Sequence, residues 1–429
     1  MTLDPLHRRE AEPVAAVPAA AWLARCGDAP PLAQALQASR ADTLETFARL
    51  ERALPGLQVP KQPQLNLPLW ELGHIGWFQS RWTIRNPQWH QGRRADPDAP
   101  LLGGQPGVRI DADGLYDSSA VPHACRWSLS LPDADTTRAE LETQLAAVIA
   151  LLESIAGSGA DSQCRDSAEP AQVEGEGGDG ATAARDDALY FFRLALLHED
   201  MHHEAALYMA QGLGVEVDDP RWQPAPLPEP PPPVRLRAAT WRLGSPAHAG
   251  FAFDNELSAR DVSLGDFEID AQALRWAEFL PGVEAGACSS PAHLRRDGCG
   301  RWQRRRHGRW DTLDLREAAC HLTLDQALAW CAWAGRRLPT EAEWERAACT
   351  CPETFRWGDV WEWTASPFAP YPGFEPHPYR DYSAPWFDGR PVLRGASYMT
   401  QPRMRHPRYR NFFPGHRSDV PAGLRTCAR

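Results

Sequence analysis

The sequence has no run of about 18 or more apolar residues, so a membrane-spanning helix is excluded. It also lacks a basic excess: 45 Lys and Arg stand against 56 Asp and Glu, a net charge of −11. A protein that binds nucleic acid through its phosphates needs the opposite balance, so that class is excluded as well. Asp4, Arg8, Arg9 and Glu10 interrupt the opening stretch, which has no apolar signal segment, and a cytoplasmic location is expected. No internal repeat is visible. Ten cysteines include no CxxC pair, only Cys349 and Cys351 as CxC, which fits scattered thiols in a reducing compartment rather than a disulfide scaffold. What the chain does have is 18 Trp and 40 Pro in 429 residues. Its length suggests two or three domains, one of them rich in irregular, side-chain-packed backbone.

Apolar spacing divides the chain. Residues 1–31 read as a loosely ordered lead. Leu32, Leu36, Leu44, Phe47, Leu50 and Leu54 recur at helical spacing until Pro55 and Gly56 stop the pattern. A second helix is expected from Pro68 to Trp82, and a third from Thr136 to Ile155, with Leu141, Leu145, Val148 and Leu152 on one face. Residues 156–185 are a Gly, Ala, Ser, Asp and Glu insert, expected to be a disordered acidic loop. The strongest helix follows, Asp187 to Gln211, and the four make a bundle over residues 32–215. Residues 216–234 form a linker that is stiff where Pro224 to Pro233 fall. From 235 to 429, short apolar runs alternate with turn residues, and helices are expected at Thr323–Ala334 and Thr340–Ala348. Thr340 and Glu343 form a capping box at the start of the second. The fold class is α+β.

The densest chemistry is the string His198-Glu199-Asp200-Met201-His202-His203-Glu204. His198 and His202 are four apart, so they share one helix face and can ligate one ion. The apolar segment Ala188–Leu197 before them places that face inside the bundle. A third ligand is available in His74, which is flanked by Trp70, Trp77 and Phe78; Gly73 and Gly76 beside it permit close approach. Three neutral imidazoles leave open positions on an ion and suit Fe(II) and Zn(II) alike. The string also reads as HExxH, the zincin pattern of a zinc-dependent hydrolase with Glu199 as general base, but no clean third ligand follows downstream.

Together with these histidines, four strings carry a family resemblance. They are Leu328-Ala-Trp-Cys-Ala-Trp-Ala-Gly-Arg-Arg-Leu-Pro-Thr-Glu-Ala-Glu-Trp-Glu-Arg-Ala-Ala348, Val360-Trp-Glu-Trp-Thr-Ala-Ser366, Val392-Leu-Arg-Gly-Ala-Ser-Tyr398 and Arg410-Asn-Phe-Phe413. The chain resembles the non-haem iron sulfoxide synthases of ergothioneine biosynthesis, which join a DinB-like four-helix bundle to a formylglycine-generating-enzyme-like, C-type-lectin-like domain. The resemblance implies iron(II) held by His74, His198 and His202, dioxygen as co-substrate, hercynine bound at the bundle and a chalcogen donor at the second domain. It further implies a tyrosine as proton or hydrogen donor, Tyr382 first and Tyr379 second. Substrate contacts are expected from Phe78, Tyr116, Met201, Phe412, Phe413 and Arg417.

Two departures bear on the donor. The members that use γ-glutamylcysteine carry Gln before the second histidine of the helix motif, where this chain has Met201. They also have an acidic residue where Asn411-Phe412-Phe413 now stands, although Arg417 follows. Aromatic faces suit a sugar ring, and the pattern resembles the selenoneine-synthase branch, which implies a selenosugar donor (1-seleno-β-D-glucose) and a C–Se bond. A thiol donor, γ-glutamylcysteine or cysteine, is the alternative. Seven arginines between His293 and Trp310 read as a solvated insertion loop. Glu341, Glu343, Glu345, Trp361, Glu362 and Trp363 read as fold residues.

Overall fold

A computed structural model of the chain describes residues 17–157, 180–217, 219–247 and 249–429. The first helix, α1 (Ala19–Cys26), leads into α2 (Ala29–Ala53), which opens with Pro30 and Pro31 in its first turn. Next come α3 (Pro68–Trp82), again begun by proline, and the short α4 (Ala112–Tyr116). The long helices α5 (Ala134–Gly157) and α6 (Gly180–Leu213) complete the first domain. Helices α2 and α3 each pack against both α5 and α6, so the four close into a bundle with α2 opposite α3. The bundle core is contributed heavily by α3 and by Leu189–Leu197 of α6. Among the described residues no helix is long and apolar enough to cross a membrane, and no disulfide forms.

The second domain builds several small sheets around three helices, α7 (Trp276–Glu284), α8 (Leu324–Trp333) and α9 (Glu341–Thr350). Both α8 and α9 start with a capping box, Thr323 with Gln326 and Thr340 with Glu343. One sheet centres on strand Trp361–Pro367, which pairs antiparallel with Pro391–Gly395 and parallel with Ala422–Gly423. Ion pairs fill its interior. Glu341 binds Arg394 and Arg410, Glu345 binds Arg394, and Glu362 binds Arg425. The Trp363 indole donates to the Leu322 carbonyl at 2.8 Å. These residues hold the fold.

Several expectations need correction. Ala19–Cys26 is a helix rather than a loose lead, α2 begins at Ala29, and Ala21, Ala24 and Arg25 are buried; residues 1–16 lie outside the described residues. The Arg25 guanidinium makes a two-pronged pair with Glu256 at 2.7 and 2.9 Å, which ties α1 to the second domain. Most of the insert expected at 156–185 also lies outside the described residues. At its ends the helices simply continue, α5 to Gly157 and α6 from Gly180. The arginine-rich stretch is an antiparallel three-stranded sheet (Leu294–Arg296, Trp302–Arg306, Arg309–Thr312), not a solvated loop. Its middle strand reaches the end of α6, where Gln211 donates to the Arg305 carbonyl and accepts from the His307 amide. Arg295 stacks on Trp310 and Arg296 on Trp302, one pair on each face of the sheet. The proline-rich linker lies along the second domain: Leu227 is buried, and its amide donates to the Arg316 carbonyl at 2.9 Å.

Arg25 and Glu256 have side-chain exposures of 3 and 0 %, so removing one partner strands the other charge. Arg25→Ala is expected to cost about 3–5 kcal/mol in urea unfolding, whereas the double apolar replacement Arg25→Met with Glu256→Leu recovers most of that loss. An Arg25→Ala midpoint equal to wild type would mean that α1 does not depend on this pair.

Candidate metal centre

The seven-residue string on α6 points in several directions because each residue turns the helix by about 100°. Glu199 and His203 face α2. Glu199 receives Arg40 at 2.7 and 3.1 Å, and His203 meets Thr46 Oγ1 at 2.9 Å. Asp200 and Glu204 face the second domain. Asp200 takes Arg403 at 2.9 Å, and Glu204 accepts from Trp361, Ser397 and Thr400 at 2.7–3.0 Å. That leaves His198 and His202 on the face turned toward α3. Glu199 is committed to Arg40 in the core, which removes the general base that a zincin reading needs.

His74 on α3 completes the group. One ligand atom from each of His74, His198 and His202 lies within 4.8 Å of the others, and the Nε2 atoms of His198 and His202 are 3.1 Å apart. The outer nitrogens of two rings are engaged. His74 Nδ1 donates to the Tyr116 carbonyl at 2.8 Å, an oxygen left without a helical partner at the end of α4. His202 Nδ1 donates to the Glu71 carboxylate, one turn before His74 on α3. These bonds fix both tautomers so that Nε2 of each ring carries its lone pair inward. His198 is held by stacking instead, with the Phe78 ring 3.5 Å away at 6°. Trp70 stacks on His74 at 4.7 Å and 12°.

The electrostatics agree with this geometry. Burial pushes the pKa of His74 down to about 3, with His202 adding to the effect, and burial holds His198 well below the usual imidazole range. Both rings are therefore neutral near pH 7. Burial alone would raise Glu71, but the His202 imidazole and its hydrogen bond outweigh it and hold the carboxyl at about 2. Asn66 donates to the same carboxylate. Two buried, neutral imidazoles and a half-buried third, with converging nitrogens and a carboxylate behind the third, fit a divalent metal ion. His198 Nδ1 has no hydrogen-bond partner, so its Nε2 can donate to His202 Nε2 when no ion is bound.

The other expected site residues are placed as follows. Phe78 backs His198 and meets Tyr379 edge-on, with ring centroids 4.8 Å apart. Tyr379 in turn stands 6.1 Å from the His198 ring. Tyr382 lies one ring further out: it stacks on Phe253 at 4.3 Å and donates to the Tyr409 hydroxyl at 3.1 Å. The Met201 sulfur accepts from Tyr409 at 3.4 Å. Tyr116 serves through its carbonyl, because its ring is buried against Gly73, where a Cβ would sit 2.3 Å from it. Phe412 and Phe413 are neighbours along the chain and do not share one platform. Phe412 stacks on Phe368 at 4.1 Å, while Phe413 packs edge-on against Tyr208 of α6 at 5.8 Å. Arg417 is paired at 2.6 Å with Asp419. Sequence reasoning missed Glu71, Asn66, Tyr409 and the docking roles of Asp200 and Glu204. The signal for Glu71 was present, as a lone acid in the otherwise apolar run Leu69–Phe78.

Comparison with known proteins follows the same division of the chain. Residues 35–206 match the DinB superfamily, and residues 223–359 match the sulfatase-modifying factor enzyme 1-like domain. The fold and site thus define a two-domain protein in which a DinB-like helical bundle carrying a three-histidine cluster precedes a domain of the formylglycine-generating-enzyme type. Over both domains the chain is similar to the hercynine oxygenases of Mycolicibacterium smegmatis and Mycobacterium tuberculosis. It is 27 % identical to the first over 436 residues and 26 % identical to the second over 446, and each match covers 85 % of this chain and 91 % of the relative. A formylglycine-generating enzyme of Streptomyces coelicolor is 28 % identical over 158 residues, covering 29 % of this chain and 50 % of that protein.

The carboxylate behind His202 is testable apart from turnover. Glu71→Gln keeps the shape and removes the charge, and it is expected to weaken iron(II) binding about 10- to 100-fold in competition with a chelator, with an unchanged circular dichroism spectrum. Unchanged affinity would show that Glu71 does not support the ligand.

Proposed function

We propose that the chain is an iron(II)-dependent oxidoreductase that uses dioxygen to join C2 of the hercynine imidazole to a chalcogen donor. The observation that carries this reading is the buried three-histidine cluster within a chain similar to hercynine oxygenases through both domains. His74, His198 and His202 are the residues that would hold the iron, and Glu71 and the Tyr116 carbonyl keep two of them oriented. When bound, the iron supplies the redox chemistry with dioxygen and a template for the two substrates. With a thiol donor the balance is complete: the C2–H and S–H bonds break, a C–S bond forms, one oxygen atom goes to sulfur and the other leaves as water.

The protein contributes position and proton control. The second domain is locked to α6 through Asp200 and Glu204, so a donor held by that domain keeps a set distance from the cluster. Tyr379 is the phenol nearest the histidines through Phe78 and His198, and burial keeps it protonated, so we assign it the role of proton donor ahead of Tyr382. Tyr382 and Tyr409 form a hydrogen-bonded pair behind it that ends on Met201.

The relatives named as hercynine oxygenases support the sulfoxide-synthase reading, with a thiol such as γ-glutamylcysteine or cysteine as donor, over a selenium donor. The selenosugar reading rests on one observation. The face of α6 that carries Met201, and Tyr208 seven residues on, offers the second domain a thioether and, with Phe413, aromatic rings rather than an amide and an acid.

The deciding experiment loads the full chain with iron(II) without oxygen, adds hercynine, admits oxygen and compares γ-glutamylcysteine, cysteine and 1-seleno-β-D-glucose by mass spectrometry. A hercynine sulfoxide adduct with a thiol is the expected product, and oxygen is consumed only when both substrates are present. A selenium isotope pattern with the selenosugar alone would assign the second reading. Turnover that persists without oxygen, or no adduct with any donor, would overturn the proposal.

A further inference from the structure

The cluster has a buried cation beside it that none of the roles above explains. Arg126 lies on the helical turn His123–Ser128 and is 8 % exposed. Its guanidinium stacks 3.6 Å over Trp70, the indole that itself stacks on His74. One terminal nitrogen donates to Asn66 Oδ1 and the other reaches the Val121 carbonyl at 3.5 Å, while the buried Nε has no partner. Most other buried arginines of this chain hold a carboxylate directly, as Arg25 holds Glu256, Arg40 holds Glu199, Arg394 holds Glu341 and Arg425 holds Glu362, whereas Arg346 donates to the Arg237 carbonyl. Arg126 forms no such pair among the described residues. The negative charge that acts on it is Glu71, which is taken up by His202 and Asn66. Tyr379, the proposed proton donor, also lies within its field.

A buried guanidinium with no carboxylate in direct contact is costly, and a planar fork with an idle N–H is suited to an arriving carboxylate. We propose that Arg126 is the specificity-determining anchor for the carboxylate of the imidazole substrate. This rests on the reading above that hercynine is that substrate. With its ring at the histidines, hercynine would extend its carboxylate past Trp70 to Arg126, and the ligand would complete the ion pair that the chain leaves open. Asn66, shared between Arg126 and Glu71, keeps the two charges from collapsing onto each other and couples the anchor to the His202 support.

The test measures binding rather than turnover. Iron-loaded wild type, Arg126→Lys and Arg126→Gln are titrated anaerobically, by calorimetry, with hercynine, with its decarboxylated counterpart, trimethylhistamine, and with γ-glutamylcysteine; iron content is measured for each. Wild type is expected to prefer hercynine by about 30-fold, the value of a buried charge-assisted hydrogen-bonded pair. Arg126→Gln should reduce that preference to within about 3-fold while still binding the decarboxylated ligand and the iron, and Arg126→Lys should fall between. A preference that survives in Arg126→Gln overturns the proposal. So does an equal loss of both ligands, which would mark a structural role. So does a loss confined to the affinity for γ-glutamylcysteine, which would move the anchor to the donor. If wild type binds neither imidazole ligand, the functional reading itself fails, and this inference fails with it.

Discussion

Everything at the site depends on gathering three imidazoles at one point, two of them fully buried. Protonating either buried ring would place a cation in an apolar bundle, and burial holds His74 and His198 in the neutral form. Neutral rings with their outer nitrogens engaged can only present lone pairs inward. The Tyr116 carbonyl and the Glu71 carboxylate engage those outer nitrogens on two of the rings, and aromatic stacking aligns the third. The carboxylate matters in a second way. Placed behind His202 rather than at the meeting point of the three rings, it would lend negative charge to an ion held there without occupying a position on it.

The same helix that carries two of the rings also joins the domains. On α6, Glu199 and His203 anchor to α2, Asp200 and Glu204 anchor to the second domain, and His198 and His202 face α3. A helix turning by about 100° per residue makes this possible within seven residues. Any shift in how the second domain sits on α6 therefore moves it relative to the histidines. The Arg25–Glu256 pair and the arginine-rich sheet on Gln211 brace the arrangement at two further places.

Much of this was legible before the structure. The four bundle helices show in the apolar spacing because each has a continuous buried face, and the histidine trio shows because His198 and His202 share one face and His74 lies in an apolar stretch. The capping box at Thr340 was readable because it is local. What was not legible depends on distant parts of the chain. Helix α1 is only eight residues long and is stabilised by a partner more than 200 residues away. The first turns of α6 have too little apolar pattern to stand out from the insert before them. The short strands pair non-locally, as Cys427 does with Ile269 and Arg337, and leave no periodic trace. Phe412 and Phe413 looked like one aromatic platform because the strand Asn411–Phe412, which ends between them, is too short to leave a pattern. Glu71 was visible as a residue, but its role required knowing that α3 sets it against His202.

X-ray absorption at the iron edge of the anaerobically loaded protein tests the central claim most directly. One iron per chain with three imidazole nitrogens and no protein carboxylate in its first shell is the predicted result, and Glu71→Gln should leave that count unchanged. Fewer than three imidazoles, a bound carboxylate from Glu71 or Glu199, or no stoichiometric iron would contradict it.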